Sequence, residues 1–212
     1  MEPQIHLLSR RAFAGSALAT AALVAAKGVQ AASKLSPTPS QTEGPFYPHQ
    51  RLAEEDADLT WIKGHKRRAQ GKVIQVTGRV FDRYGNPVRG ARVELWQCNS
   101  LGRYAHPGDI ATVPLDPDFQ GYAAIRTGRK GEWRITTIKP AAYDSPIGRR
   151  TPHIHFTVHG NSGKLTTQMY FSDDEATNLK DGLYKNLGGE AARTVARLGA
   201  ANQYDWDIVL RS

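Results

Sequence analysis

Residues 151–156 read TPHIHF, and the chemistry open to this chain starts from the two histidines in that run, His153 and His155. In an extended strand successive side chains alternate between faces. Both imidazoles therefore project the same way and can converge on one ion, while Ile154, Phe156 and Val158 turn into a core. His159 shares the parity, but four strand residues cover about 13 Å, too far to share the ion. His6, His49, His65 and His106 have no such pairing and read as non-ligands. An HxH pair is half of a site, and its partners decide the metal. Sulfur ligands are absent nearby, which disfavours structural zinc. A facial triad for iron(II) needs one carboxylate, for which Asp109, Asp144 and Asp173 are candidates. Two tyrosines offer another route: Tyr104 in LGRYAHP and Tyr143 in PAAYDSP sit in polar loops and not in an aromatic core pattern. A phenol ionises near pH ~10. A hard, strongly Lewis-acidic cation such as iron(III) would hold it as phenolate at neutral pH.

These residues need a scaffold, and the chain around them alternates or runs apolar over strand lengths. KVIQVTGRVFD, ARVELWQCN, GYAAIRT, GEWRITTI, HIHFTVHG, KLTTQMYF and YDWDIVL read as strands. Gly85-Asn86-Pro87 and Gly90 punctuate the first two. GYAAIRT and GEWRITTI are predicted to pair as a hairpin around Gly128 and Gly131. HIHFTVHG and KLTTQMYF are predicted to pair around Asn161-Ser162-Gly163. A helical piece is expected at 189–199 (GEAARTVARLG). The fold class expected is all-β: an antiparallel β-sandwich with long active-site loops, at 99–119 and 139–152, and short helical segments.

The N-terminus is set aside from the fold. SRRAFAGSALATAALVAA has a basic start and an apolar run of small residues, the layout of an export signal and too short for a confident membrane span. The Arg10-Arg11 pair with Phe13, and Lys27 near the end of the run, resemble a twin-arginine signal, with cleavage expected near Val29-Gln30-Ala31. This gives three parts: 1–31 export signal, 32–71 linker and N-terminal extension, and 72–212 the sandwich domain. The expected destination is the periplasm or the exterior, with no stable membrane span in the mature protein. Arg10, Arg11 and Lys27 against Glu2 contribute +2 of the formal +8, leaving +6 for residues 32–212. Much of that sits in one cluster, KGHKRR at 63–68, which reads as a solvated loop; a nucleic-acid surface would need a longer basic face with interleaved aromatics. The single cysteine, Cys98, excludes an intrachain disulfide and a CxxC zinc site, and reads as a buried inert thiol.

The ordered string GRVFD-x-x-GNPV-x-GARVELWQ-x-N, then GRY, then LDPDFQGY-x-A-x-RT, then a tyrosine, RTPHIHF and LTTQMYF resembles the intradiol ring-cleavage dioxygenases. TEGPFYP at 42–48 is similar to the segment that precedes the sandwich in this family. The likeness runs from about residue 42 to 210, and the short N-terminal region favours the protocatechuate-cleaving subgroup over the catechol enzymes. The resemblance implies a non-haem iron(III), Fe(3+), held by Tyr104, Tyr143, His153 and His155, with solvent hydroxide in a fifth position. Tyr143 matches the tyrosine that leaves when substrate binds and then serves as a base. Arg150 matches an arginine beside the substrate ring that stabilises negative charge developing there, and Gln168 matches an active-site glutamine that orients the ring. The implied reaction cleaves a catechol-type ring between its two hydroxylated carbons with O2, giving a cis,cis-muconate-type diacid. The implied partners are a small aromatic diol, O2, and either further copies of the chain or a related iron-free chain. Two features depart from the pattern: the stretch from Tyr143 to His153 is shorter than in the protocatechuate enzymes, and Ser145 stands where they carry a bulky aromatic residue. Three competing readings are a sandwich module that only binds, a hydrolase on a similar sandwich, and an iron(II) or zinc enzyme built on HxH.

Overall fold

A computed structural model describes Met1 and residues 34–48, 54–160 and 163–211. The leader with its Arg10-Arg11 pair and cleavage point, and His6 and His49, lie outside the described residues.

The apolar residues that alternate along the chain organise one large sheet. Its strands are β1 (Val73–Phe81), β2 (Arg92–Trp96), β3 (Tyr122–Arg126), β4 (Glu132–Ile138), β7 (His153–Gly160), β8 (Gly163–Phe171), β9 (Val195–Leu198), β10 (Gln203–Asp205) and β11 (Ile208–Val209). They run in the order β11-β1-β10-β9-β8-β7-β2-β3, with β4 also on β1. The all-β architecture expected from the alternation holds. Its ladders are antiparallel except where the C-terminal strands return: β10 and β11 lie parallel to β1, and β9 parallel to β8. The sheet curls nearly into a barrel. Segment 55–59 bridges its two open edges, since Ala124 N donates to Glu55 O on one side and Thr136 N to Ala57 O on the other. Inside lie Val76, Val80, Leu95, Ile135, Ile154, Phe156, Val158, Met169 and Ile208, each fully buried. A core residue such as Phe156 contributes about 3–5 kcal/mol by the cost of its truncation to Ala.

Two local expectations are corrected. The strands flanking Gly128 and Gly131 do not pair with each other: β3 joins β2 and β4 joins β1 over seven residue pairs. The turn closes on itself through Gly128 N to Glu132 O, and Gly131 accepts from Val80 N, so the chain crosses between layers. Gly131 has φ +73°, and a Cβ there would come 2.5 Å from Val80 O, so only glycine permits that crossing. The helix expected over 189–199 is a 3₁₀ stretch that ends at Thr194. The β-branched Thr194-Val195 pair and the buried Ala196 then extend as β9, with Val195 opposite Tyr170.

The second predicted hairpin forms as read: β7 and β8 pair from His153↔Tyr170 to Gly160↔Gly163. The expected 139–152 loop is partly structured. A small ribbon of β5 (Tyr143–Ser145) and β6 (Gly148–Arg150) stands off the main sheet and sets Tyr143 opposite Arg150. Two short helices follow β8, α1 (Glu175–Asn178) and α2 (Gly182–Lys185). Cys98 is buried, and burial pushes its thiol up to about 12. Among the described residues no helix is long and apolar enough to cross a membrane.

Candidate metal centre

Strand parity on β7 places His153 and His155 side by side, buried, with ring centroids 4.9 Å apart, while Ile154 and Phe156 enter the core. Tyr104 arrives from the 99–119 loop. Asn99 Oδ1 accepts from the backbone N–H groups of Leu101 and Arg103, and the Asp109 carboxylate accepts from Tyr104 N at 2.7 Å. Tyr143 comes from β5. Tyr104 lies 5.6 Å from Tyr143, Tyr143 lies 5.7 Å from His153, and Tyr104 lies 6.2 Å from His155, ring centre to ring centre. With the histidine pair, the four rings close a circuit.

Neighbours hold the circuit in place. The Trp96 indole stacks on His155 at 5.0 Å with 12° between planes, and Phe46 stacks on Tyr104 at 4.6 Å. Gly44, at φ +76°, lies so close that a Cβ would sit 3.2 Å from His155 Cε1. His153 Nδ1 is 2.6 Å from the carbonyl oxygen of Thr151, which can only accept. That nitrogen therefore carries the proton, and Nε2 keeps its lone pair. His153 Nε2, His155 Nδ1 and Tyr104 Oη are buried with no hydrogen-bond partner outside the four rings; the Tyr143 phenol is the only polar neighbour of Tyr104 Oη among them. Buried polar atoms are almost always paired, so three orphans on one circuit require an explanation.

The electrostatics point the same way. Burial, and then the Arg150 charge, hold the His153 imidazole down to about 3; burial, His153 and Arg150 hold His155 well below its ordinary value. Both are neutral and able to donate lone pairs. Burial, and then the neighbouring Tyr143, push the Tyr104 phenol well above 10. Burial also raises Tyr143, partly offset by its contact with Tyr104 and by Arg150. A phenol in such a place ionises only beside a strong positive charge. Two neutral imidazoles and two phenols thus fit a hard cation. The carboxylates of the facial-triad option are committed elsewhere. Asp109 serves Tyr104 N and Ala111 N, Asp144 pairs with Arg149 on the surface, and Asp173 pairs with Lys139. Among the described residues no three His, Cys, Asp or Glu side chains gather to hold a metal.

Arg150, on β6, is 5 % exposed. Its Nε donates to Asp181 Oδ2 at 2.9 Å and its Nη2 to Gln168 Oε1 at 2.5 Å. Gln168 pairs with His155 across the β7–β8 ladder, which fixes the face that its parity alone left open, and its Nε2 donates to Thr42 O. All six residues expected at the site, Tyr104, Tyr143, His153, His155, Arg150 and Gln168, come together. Sequence reasoning missed Asp181, Trp96 and Gly44. A helix N-cap pattern, Asp181 before GLYK, was the available signal for the first, and nothing in it points to Arg150.

A family model described as "Dioxygenase" matches residues 42–212. The chain is 40% identical over 181 residues to the protocatechuate 3,4-dioxygenase beta chain of Burkholderia cepacia, covering 79% of this chain and 76% of that one. It is 33% identical over 156 residues to the protocatechuate 3,4-dioxygenase alpha chain of Pseudomonas putida, covering 69% and 75%. Among solved structures it is similar to the dioxygenase domain of a dioxygenase–carbohydrate-binding protein fusion from Streptomyces sp. SirexAA-E, with a TM-score of 0.63, 27% identity, and 83% and 99% of the two chains covered.

Proposed function

Since the chain belongs to the intradiol ring-cleavage dioxygenase family, we propose that it holds iron(III) on Tyr104, Tyr143, His153 and His155. With that iron it cleaves a small catechol-type diol with O2 between its hydroxylated carbons. The product is a cis,cis-muconate-type diacid that keeps both atoms of the O2. The observation that carries the reading is the set of orphaned donors, His153 Nε2, His155 Nδ1 and Tyr104 Oη, on one ring of four side chains.

The ion would supply Lewis acidity that favours the deprotonated diol and its reaction with O2. The chain's own groups do the rest. Tyr143 is only half-buried, on the ribbon at the edge of the circuit, so of the four rings it is the one an incoming diol would meet. Burial raises its phenol, so its phenolate is a strong base, and Tyr143 Oη takes a proton from a substrate hydroxyl. Arg150 sits opposite Tyr143 on the ribbon, and its guanidinium stabilises negative charge that grows on the ring. Gln168 fixes one edge of that guanidinium and borders the site. Trp96 and Gly44 pack against His155, and Phe46 packs against Tyr104, which holds the two rings in place.

The relatives include alpha and beta chains, which supports assembly with further copies or with a related iron-free chain. The Arg10-Arg11 leader supports twin-arginine export, which would let iron load before the folded protein crosses the membrane. Ser145, where the resemblance places a bulky residue on the ribbon, makes the preferred diol a matter for the assay. The test is oxygen uptake by the purified protein with catechol, protocatechuate and hydroxyquinol. The expected result is one O2 consumed per diol cleaved, with a product two oxygen atoms heavier. Absence of uptake with all three would overturn the proposal.

A further inference from the structure

We propose that Asp181 is a positioning residue for the reaction: its buried carboxylate clamps the Arg150 guanidinium against the site. The inference rests on the function proposed above.

Asp181 is fully buried and stands at the N-terminus of α2, outside the metal circuit. Its two oxygens divide their work. Oδ1 accepts from Leu183 N at 2.8 Å and Tyr184 N at 3.2 Å, which caps α2. Oδ2 accepts from Arg150 Nε at 2.9 Å and from Thr151 N at 3.0 Å. All four acceptor positions of the carboxylate are filled. On the arginine, Nε and Nη2 form one edge of the fork. Asp181 takes the first and Gln168 Oε1 the second, so that edge is spent on the protein, with the Tyr170 hydroxyl also beside the guanidinium.

The clamp is needed because of where Arg150 sits. Its ribbon has three residue pairs and stands apart from the main sheet. Asp181 lies beyond β8, and its bonds to Arg150 Nε and Thr151 N tie the end of the ribbon to the body of the fold just before His153. A buried guanidinium without an anion is costly and would swing toward any carboxylate or solvent it could reach. The carboxylate thus sets the direction of the positive charge without touching the substrate.

A purely structural Asp181 would serve only as a cap and a charge partner, and one substitution separates the two roles. Asn caps helices as well as Asp does. In Asp181→Asn the Oδ1 can keep Leu183 and Tyr184, while Nδ2 turns a donor toward Arg150 Nε, and the clamp opens. Asp181→Ser, also a good cap and with no anion, is the second variant in case the first folds poorly. The first readout uses metal-free protein. The Arg150 Nε–H should exchange slowly in the wild type by NMR and become fast in Asp181→Asn at a temperature where the variant stays folded, with a lowered unfolding midpoint because a buried guanidinium has lost its anion. The second readout uses the iron-loaded protein. In both variants kcat should fall about 10- to 100-fold, the loss usual when an outer partner of a functional group is removed. KM and iron content should stay close to wild type. The third is a double-mutant cycle: in an Arg150→Met background, Asp181→Asn should cause no further loss of kcat, because the carboxylate acts through that arginine.

An unchanged kcat in both Asp181 variants, an equal further loss on top of Arg150→Met, or loss of iron from either variant would overturn the inference. A wild type that takes up no oxygen with any diol would instead overturn the proposed function, and the Nε–H exchange would still decide whether the clamp exists.

Discussion

Along one face of β2 and β7, two clusters of the same residue types end in opposite states. The register pairs Trp96 with His155, Glu94 with Thr157 and Arg92 with His159, so one strand face carries both. At the far end the Glu94 carboxylate is buried and fully engaged. Arg92 lies 2.7 Å away, Tyr47 donates to it at 3.1 Å, and His159 is at 3.5 Å. Tyr122 Oη accepts from Arg92. An open cleft of about 660 Å³ lies beside these paired charges. At the near end His153, His155 and Tyr104 are at least as buried, yet each keeps an atom without a partner outside the four rings. Histidines, tyrosines, burial and even cleft volume are common to both ends or favour the wrong one. What separates them is whether the buried polar atoms are satisfied, because an unsatisfied buried group costs stability and persists only where function or an absent partner explains it.

The comparison breaks first at the ligands. Tyr104→Phe and His155→Ala should each lose iron and ring cleavage by more than the ~100-fold typical of an outer-partner loss, read by metal analysis and oxygen uptake. Arg150→Met should keep its iron and lose about 10²- to 10³-fold in kcat, as removal of a charge-stabilising donor does.

Acid titration of the metal-free protein sharpens the contrast. The unfolded chain binds a proton on His153 near pH 6.5, whereas the folded protein does so only near about 3. Between those values the unfolded state holds more protons, so stability falls as pH falls, by about 1.4 kcal/mol per pH unit for that group. His155 acts in the same direction. Denaturant midpoints that stay flat from neutral pH down to pH ~4 would show that these imidazoles are not held neutral.

At the far end Glu94→Gln should cost about 1–3 kcal/mol, the cost of disturbing a buried hydrogen-bonded acceptor, and leave the iron untouched. Iron lost with that substitution would mean the two clusters are one site. The smallest effect belongs to His159→Gln, below about 1 kcal/mol for a half-exposed histidine–carboxylate contact, with full iron.

Much of the near cluster was legible in the sequence because it rests on local rules. The HxH parity follows from strand geometry, and Tyr104 and Tyr143 stood out as phenols in polar loops. Gln168 was half legible: its parity grouped it with Thr166 and Tyr170, but its face came only from the register with His155. Asp181 and Gly44 were not legible, since their contacts with Arg150 and His155 join residues remote in sequence. The fold divides along the same line. The β7–β8 hairpin has a local signal. The crossing after Gly128, and the parallel return of β10 and β11 onto β1, are set by packing between layers that no local pattern encodes.

The most direct test of the central claim is one visible spectrum of the purified protein, taken with its iron content. Iron(III) held by Tyr104 and Tyr143 should give a burgundy tyrosinate charge-transfer band at about one iron per chain, the stoichiometry of a single four-ligand site. A colourless protein that folds normally and takes up no iron would contradict the account.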